Sequence, residues 1–448
     1  MFFEGIDILD LEYSSRGRDI DIVEPTLSYL EIKYKLRVKR KWLFRYCIVD
    51  ILLTRPKILI VANGVGSIRH VRAVRFASLL GIKVVTFVSE GDYSSFNSEA
   101  DTNIFSECFF GDNHERIFFE DLHLEWSQRN INSILKNIPE SSIGKTLIKL
   151  SGATGFDKYK LLKNFLDKEI FLARYNRRQY RKIVVIAGWA FGNFFPEYDY
   201  EIISRLYSLE ERNCLRDSLE LVKQGYRHII ENNPDILFVL KSHPMEDKKY
   251  SEFDDIKNYC NVIYIFTEEN IYDLINICDI WVAFESTTCL EAWLFNKTTV
   301  LYNPVISNFR RSVISKGSPN VSNPIELDEC IKSYFRDGYL KIFDDLLDVR
   351  KKIVEGIIGF DDGKCYMRAA EYIWQLYNDK EKKISRSNIR EINRFLYIGF
   401  KEFIKYYIYK FRLYKIFPRY EEDYLDGLWN EEERLRNKKI YQKAIEDN

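Results

Sequence analysis

Lys57-Ile58-Leu59-Ile60-Val61-Ala62-Asn63-Gly64-Val65-Gly66 opens the most legible stretch of this chain. An apolar run ends in a Gly-x-Gly turn. From Arg69 to Leu80 apolar residues recur at helical spacing, Gly81 interrupts them, and Lys83-Val84-Val85-Thr86-Phe87-Val88 is a second apolar run. Strand, turn, helix, turn, strand is a βαβ unit, and such units lay their strands parallel. Strands apolar at nearly every position suit a sheet covered on both faces.

The pattern continues outward. In the first half, strands are expected at Ile6–Tyr13, Tyr34–Val38, Lys57–Asn63, Lys83–Val88 and Asn103–Phe110. Helices are expected near Arg18–Glu31, Leu43–Leu53 and Arg69–Leu80. The second half restarts with strands at Ile183–Gly188, Ile236–Ser242, Val262–Phe266, Asp279–Phe284 and Thr299–Tyr302. Helices fit Glu210–Asn232, Asn270–Cys278 and Cys289–Leu294. Two α/β halves imply two doubly wound, Rossmann-like domains with a ligand crevice at the carboxyl ends of their strands. The boundary is expected in the polar, basic stretch Asn176–Lys182. That gives an N-terminal domain over 1–178, a second domain over 179–379, and a helical extension over 380–448.

A chain of 448 residues exceeds one ordinary core, and 46% hydrophobic with 30% charged residues is globular composition. With 67 basic and 67 acidic residues, no global charge points to nucleic acid. The eight cysteines show no Cys-x-x-Cys and no zinc spacing, which reads as reduced thiols of a cytoplasmic protein. No signal peptide and no membrane-spanning apolar run is visible. Charge is uneven, however: Lys33 to Arg45 carries only basic charges. Tyr397–Arg419 interleaves aromatic residues with Lys and Arg, the composition of an interfacial helix on an anionic membrane or of a helix packed on protein. A cytoplasmic protein with peripheral contact at the inner face of the membrane is the corresponding expectation.

Two strand ends carry the chemistry. Leu237-Phe238-Val239-Leu240-Lys241 exits into Ser242-His243-Pro244, where Pro244 stops the ladder and presents His243 at a strand carboxyl end. A histidine there donates to phosphate or protonates a leaving group. Asp279-Ile280-Trp281-Val282-Ala283-Phe284 exits into Glu285-Ser286-Thr287-Thr288, followed by the helical Cys289-Leu290-Glu291-Ala292. Ser286, Thr287 and Thr288 fit a helix start, which favours an anion or simply caps the helix. Glu285 and Glu291 suit ribose or base hydroxyls. Asp19-Ile20-Asp21 is the only Asp-x-Asp and falls at a helix start, so no metal site is expected.

These two elements resemble the donor half of bacterial surface-carbohydrate biosynthesis glycosyltransferases. That GT-B group also includes sialyl-, polysialyl- and Kdo-transferases and CDP-glycerol glycerophosphotransferases. Glu12-Tyr13-Ser14-Ser15-Arg16-Gly17-Arg18-Asp19, Gly152 to Tyr159, Gly188-Trp189-Ala190-Phe191-Gly192-Asn193 and Phe360 to Lys364 resemble further motifs of that family in the same order. The resemblance implies an α/β GT-B fold, two Rossmann-like domains facing a central cleft, with a helical C-terminal extension. It implies transfer of a sugar, as a CMP-activated nonulosonate or Kdo-type acid sugar, to a glycan or lipid-linked acceptor. No metal or other cofactor is implied beyond the nucleotide-sugar co-substrate.

Together with the strand-end reading, the candidate donor-binding residues are Ser242, His243, Pro244, Glu285, Ser286, Thr287, Thr288, Glu291, Gly192 and Asn193. The acceptor base falls on Glu90, in Ser89-Glu90-Gly91, or on Asp19. His243 serves the leaving group, and Arg16 and Arg18 suit a carboxylate or phosphate of the donor or acceptor. Ser89 departs from the family's paired acids. Alternatives are a CDP-polyol phosphotransferase, a UDP-sugar-dependent transferase or epimerase, and an inactive GT-B scaffold.

Overall fold

The structure is a computed structural model. It describes residues 5–15, 17–64, 66–95, 102–198, 201–243, 248–305, 309, 311–380, 389–413 and 429–448. By its internal contacts the chain divides into two units. One joins Met1–Leu162 to Gly356–Asn448, and the other is Lys163–Glu355.

The first unit holds six parallel strands: β1 (Ile8–Glu12), β2 (Val38–Trp42), β3 (Ile58–Ala62), β4 (Lys83–Phe87), β5 (Leu122–Glu125) and β6 (Leu147–Leu150), in the order β2-β1-β3-β4-β5-β6. Strand alternation sends Ile58 and Ile60 to one face, with Ile22, Leu27 and Leu30 of the Arg18–Tyr34 helix and Ile373 of the Cys365–Asn378 helix. Leu59 and Val61 go to the other face, with Ile48, Ile51, Val74 and Phe395. Helices therefore cover both faces, which is why β3 is apolar throughout.

The second unit repeats the plan with β7 (Lys182–Ala187), β8 (Ile236–Lys241), β9 (Val262–Ile265), β10 (Ile280–Ala283), β11 (Thr298–Tyr302) and β12 (Asn320–Val321). All its strands are parallel, in the order β12-β11-β10-β7-β8-β9. Its long helix Leu209–Asn232 starts at a Ser208/Glu211 capping box. The chain thus has the α/β fold expected, two Rossmann-like domains of the GT-B type with helices after the second.

Several expected elements differ. Asn103–Phe110 is helical (Thr102–Phe110), because a short aromatic run fits either structure and here Phe105 and Phe110 pack with Ile134 of the Gln128–Asn137 helix and Ile138 at its end. The second strand lies at Val38–Trp42, since the first helix continues to Tyr34. The units divide at Leu162/Lys163, earlier than 178/179. The Lys168–Arg174 helix is tied to the second unit: Lys168 pairs with Asp279 at 2.9 Å, and the Leu166 amide donates to Asp273 at 2.7 Å. The return falls at Glu355/Gly356, not at 379/380. Trp374 stacks on Tyr34 with centroids 4.4 Å apart, and Glu371 accepts from Lys33 and Tyr34 at 2.7 and 2.6 Å, so residues 356–379 complete the first unit.

Candidate nucleotide site and a buried charge cluster

In the second sheet the strand order reverses between β7 and β10. Ligands of open α/β sheets bind outside the carboxyl ends of strands at such a reversal. β7 exits there into Gly188-Trp189, and β10 exits into Phe284-Glu285-Ser286-Thr287. Space is tight at Gly188: a Cβ would meet the Lys241 carbonyl at 3.0 Å and Phe253 at 3.0 Å. The Trp189 amide donates to buried Glu252 at 2.6 Å. The Trp189 ring stacks on Phe194 at 5.0 Å and leans on Phe284 at 5.1 Å. The exit is thereby paved with aromatic rings, and Trp189 keeps part of its surface exposed. Gly192 and Asn193 lie in the one-turn Phe191–Phe194 helix of this paving, Gly192 buried and Asn193 half-buried.

Glu285 is the most informative side chain here. Asn303, just past β11, donates to its Oε1 at 3.0 Å, and Arg311 Nε stands 3.1 Å from the same oxygen. Burial pushes this carboxyl up to about 7, although Arg311 and Asn303 pull the other way. Carboxyls shifted toward neutrality cluster at functional sites, which makes Glu285 at this strand end a candidate. Neither Asn303 nor Arg311 was singled out in the sequence, because each becomes relevant only when β11 is laid beside β10.

The hydroxyls after Glu285 are partly committed. Ser286 Oγ accepts from the Thr288 amide at 3.1 Å and bonds Thr288 Oγ1 at 2.7 Å. Thr288 Oγ1 also accepts from the Trp281 indole at 2.9 Å. These groups cap and brace the Thr288–Leu294 helix, and Thr287 is the exposed member. Glu291 is buried on that helix. One strand away, the Ser242 amide donates to the Ile265 carbonyl at 2.9 Å, and Ser242 is buried. His243 is half-buried just beyond β8. Pro244, Arg16 and the side chain of Arg18 lie outside the described residues.

In the first unit Glu90 is exposed beyond β4, and Asp19 sits in the first turn of the Arg18–Tyr34 helix after β1. Both are at the carboxyl edge of the same sheet. Asp21, the other acid of Asp-x-Asp, is held by Lys158 at 2.9 Å and the Tyr441 hydroxyl at 2.6 Å. Among the described residues no group of three His, Cys, Asp or Glu side chains could hold a metal ion.

Two features of this unit were missed. His123, on β5, bonds Glu120 at 3.1 Å and Glu125 at 2.9 Å. Burial alone would depress the imidazole, but the two carboxylates lift it to about 9. The second is a buried charge cluster. Arg434, on the final helix Glu431–Glu446, pairs with Glu12 and Glu24, while Arg40 pairs with Glu24 at 2.8 Å and Glu31 at 2.9 Å. Burial pushes the Glu24 carboxyl up, but Arg40 and Arg434 override it and hold it below the ordinary range. Asp10 is fully buried nearby, and burial, then the charge of Glu12, keeps it protonated far above the usual carboxylate range.

The expected opening motif therefore anchors the C-terminus. Besides Glu12, Ser15 accepts from the Asn430 amide at 2.9 Å and from the Asn437 side chain at 3.0 Å. The Gly152–Tyr159 and Phe360–Lys364 motifs meet each other in a comparable way. Asp157 accepts from the amides of Cys365 and Tyr366 at 3.1 and 2.6 Å, capping the helix that begins there.

This architecture defines an α/β protein of paired Rossmann-like domains. Searches found no matching family model and no matching curated protein. Solved structures share the fold. The S. aureus MnaA–UDP co-structure is 13% identical over 85% of this chain and 100% of that one, with a TM-score of 0.51. The Neisseria meningitidis UDP-GlcNAc 2-epimerase bound to UDP-GlcNAc is 12% identical over 83% and 100%, with a TM-score of 0.50. A further UDP-N-acetylglucosamine 2-epimerase is 12% identical over 84% and 98%, with a TM-score of 0.52.

Proposed function

We propose that the protein is a nucleotide-sugar enzyme whose Lys163–Glu355 unit holds a uridine diphosphate sugar at the β7/β10 reversal. The observation that carries this is the Arg311–Glu285–Asn303 group, next in sequence to Phe284, on which the Trp189 ring leans. A guanidinium meets phosphate, an aromatic plane meets a base, and a carboxyl with its proton near neutrality meets ribose hydroxyls. His243 adds a donor at the neighbouring strand end. Structures sharing the fold hold UDP or UDP-GlcNAc, which puts the uridine alternative ahead of a CMP-activated acid sugar.

Epimerisation of the sugar is the first reading, following the names of those structures. Transfer to an acceptor is the second, supported by the motifs that end β8 and β10. In either case Glu90 or Asp19, with His243, are the proposed proton carriers, and the proposal includes no metal.

The test is thermal stabilisation by UDP, UDP-GlcNAc, CMP, CDP and GDP, followed by NMR of UDP-GlcNAc incubated with the enzyme alone. We expect stabilisation by the uridine ligands and a second sugar epimer without any acceptor. Stabilisation by CMP and not by UDP overturns the nucleotide. UDP release that requires an added glycan overturns epimerisation in favour of transfer. Binding with neither product in either assay overturns the enzyme reading in favour of a scaffold.

A further inference from the structure

The Ile389–Lys410 helix packs on the first unit through one face and leaves a different one in solvent. Inward, Phe395 joins the core with Ile392, Leu396 and Ile398 beside it. Gly399 sits so close to Ile48 that a Cβ would lie 2.6 Å from its side chain. Phe403 and Tyr407 close on Tyr46, with centroids 5.2 and 6.2 Å away. The helix is thus fixed in rotation. Outward it presents Tyr397, Phe400 and Ile404 at i, i+3 and i+7, a single stripe, continued by Phe411 past the helix end. They are 59%, 61%, 41% and 63% exposed. Large apolar side chains this exposed, in one line, mark an interaction surface.

Charge says what the surface fits. Residues 389–413 contain six basic side chains and two acids. Both acids turn inward, Glu391 to Arg75 and Glu402 to Arg72 at 3.7 Å. Arg394 and Lys401 flank the stripe, and Lys401 Nζ lies 4.4 Å from the Tyr397 ring centroid. The helix Leu43–Thr54, against which this one packs, carries exposed Leu53, and its Arg45 guanidinium lies 5.4 Å from the Tyr406 ring centroid. A second copy docked on this face by a two-fold axis would set these bases against themselves.

We propose that the outer face of the 389–413 segment is a docking surface for an anionic lipid bilayer. Tyr397, Phe400, Ile404 and Phe411 enter the headgroup boundary, and Arg394, Lys401, Lys410 and Arg412 meet lipid phosphate or carboxylate. No helix among the described residues is long and apolar enough to cross a membrane, so this is contact from one side. Aromatic burial and basic charge both contribute to such binding, and the charge part is screened by salt.

The test is flotation of the full-length protein with phosphatidylcholine vesicles, with and without phosphatidylserine, at low and high salt. We expect flotation with phosphatidylserine vesicles that weakens with salt. Binding should fall about tenfold or more in Phe400→Ser/Phe411→Ser and, separately, in Lys401→Glu/Lys410→Glu. Thermal unfolding and UDP binding should stay unchanged, because none of these side chains lies in the core or the nucleotide site. The charge-reversal pair tests the surface even if the aromatic pair folds poorly. The proposal is overturned by absence of flotation at low salt, or by equal flotation with neutral vesicles. It is equally overturned if both variants still float, or if they instead convert a dimer into a monomer.

Discussion

Arg434 Nε, on the last helix of the chain, donates to both carboxylate oxygens of Glu12, the last residue of the first strand, at 2.7 and 2.6 Å. The pair is buried and joins positions 422 residues apart. Removing the guanidinium would leave the buried Glu12 side chain without this partner and Glu24 with Arg40 and Ser28. Arg434→Ala should therefore destabilise the first unit by about 3–5 kcal/mol, measured by urea denaturation. Deleting residues 429–448 should do at least as much. Wild-type stability after that deletion would show that the last helix is an ornament.

Glu285 gives a pH dependence with a definite sign. Its folded value of about 7 lies above the ordinary 4.5, so the folded state holds the extra proton. Its contribution to stability is full below about 4.5 and is lost as pH rises through about 7. A diphosphate bound nearby favours the protonated form further. UDP affinity should weaken as pH rises above 7, with proton uptake on binding visible by calorimetry in buffers of different ionisation enthalpy. Glu285→Gln should bind UDP with that pH dependence flattened. An unchanged profile would falsify the assignment.

Arg311 should matter through two readouts. Arg311→Met removes a cation from the proposed phosphate site and from beside Glu285. We expect UDP affinity to fall by about tenfold or more, roughly the worth of one charge-assisted contact. The midpoint of the remaining pH dependence should move upward, since Glu285 loses a stabilising charge. Weaker binding with an unmoved midpoint would separate Arg311 from Glu285.

Gly225 lies inside the Leu209–Asn232 helix, where a Cβ would run into the Tyr302 ring of β11. Gly225→Ala gains helix propensity but overpacks a buried aromatic contact. Overpacking should win, with a net loss of about 1–3 kcal/mol in chemical denaturation. A stabilised variant would mean that Tyr302 swings aside at no cost.

Much of the candidate site's position in the fold was legible in the sequence. The apolar runs ending at Lys241 and Phe284 locate two strand exits, and the polar residues after them needed no tertiary information. Glu285 stands where that reading put it. Its partners were not legible: Asn303 and Arg311 follow a different strand, and only sheet order places them against it. The hydroxyls were legible as residue types but not as roles, since Thr288 is engaged by Trp281, seven residues earlier on β10. Asn103–Phe110 reads as a strand but is helical, because an eight-residue aromatic segment satisfies a strand or a helix until its neighbours select one.

Local pattern determined what local physics controls. Runs of Val, Ile and Leu become doubly covered parallel strands, Gly-rich exits turn the chain, and the capped helices start where their hydroxyls and acids stand. Tertiary structure alone decided three things: where one unit yields to the other, that residues 356–379 and both final helices return to the first, and that Glu12, Ser15 and Asp21 hold the C-terminus. Burial is the physical reason. Charges such as Glu12 and Arg434 can leave water only when they find each other, and that partnership depends on distance in space, which a sequence does not carry.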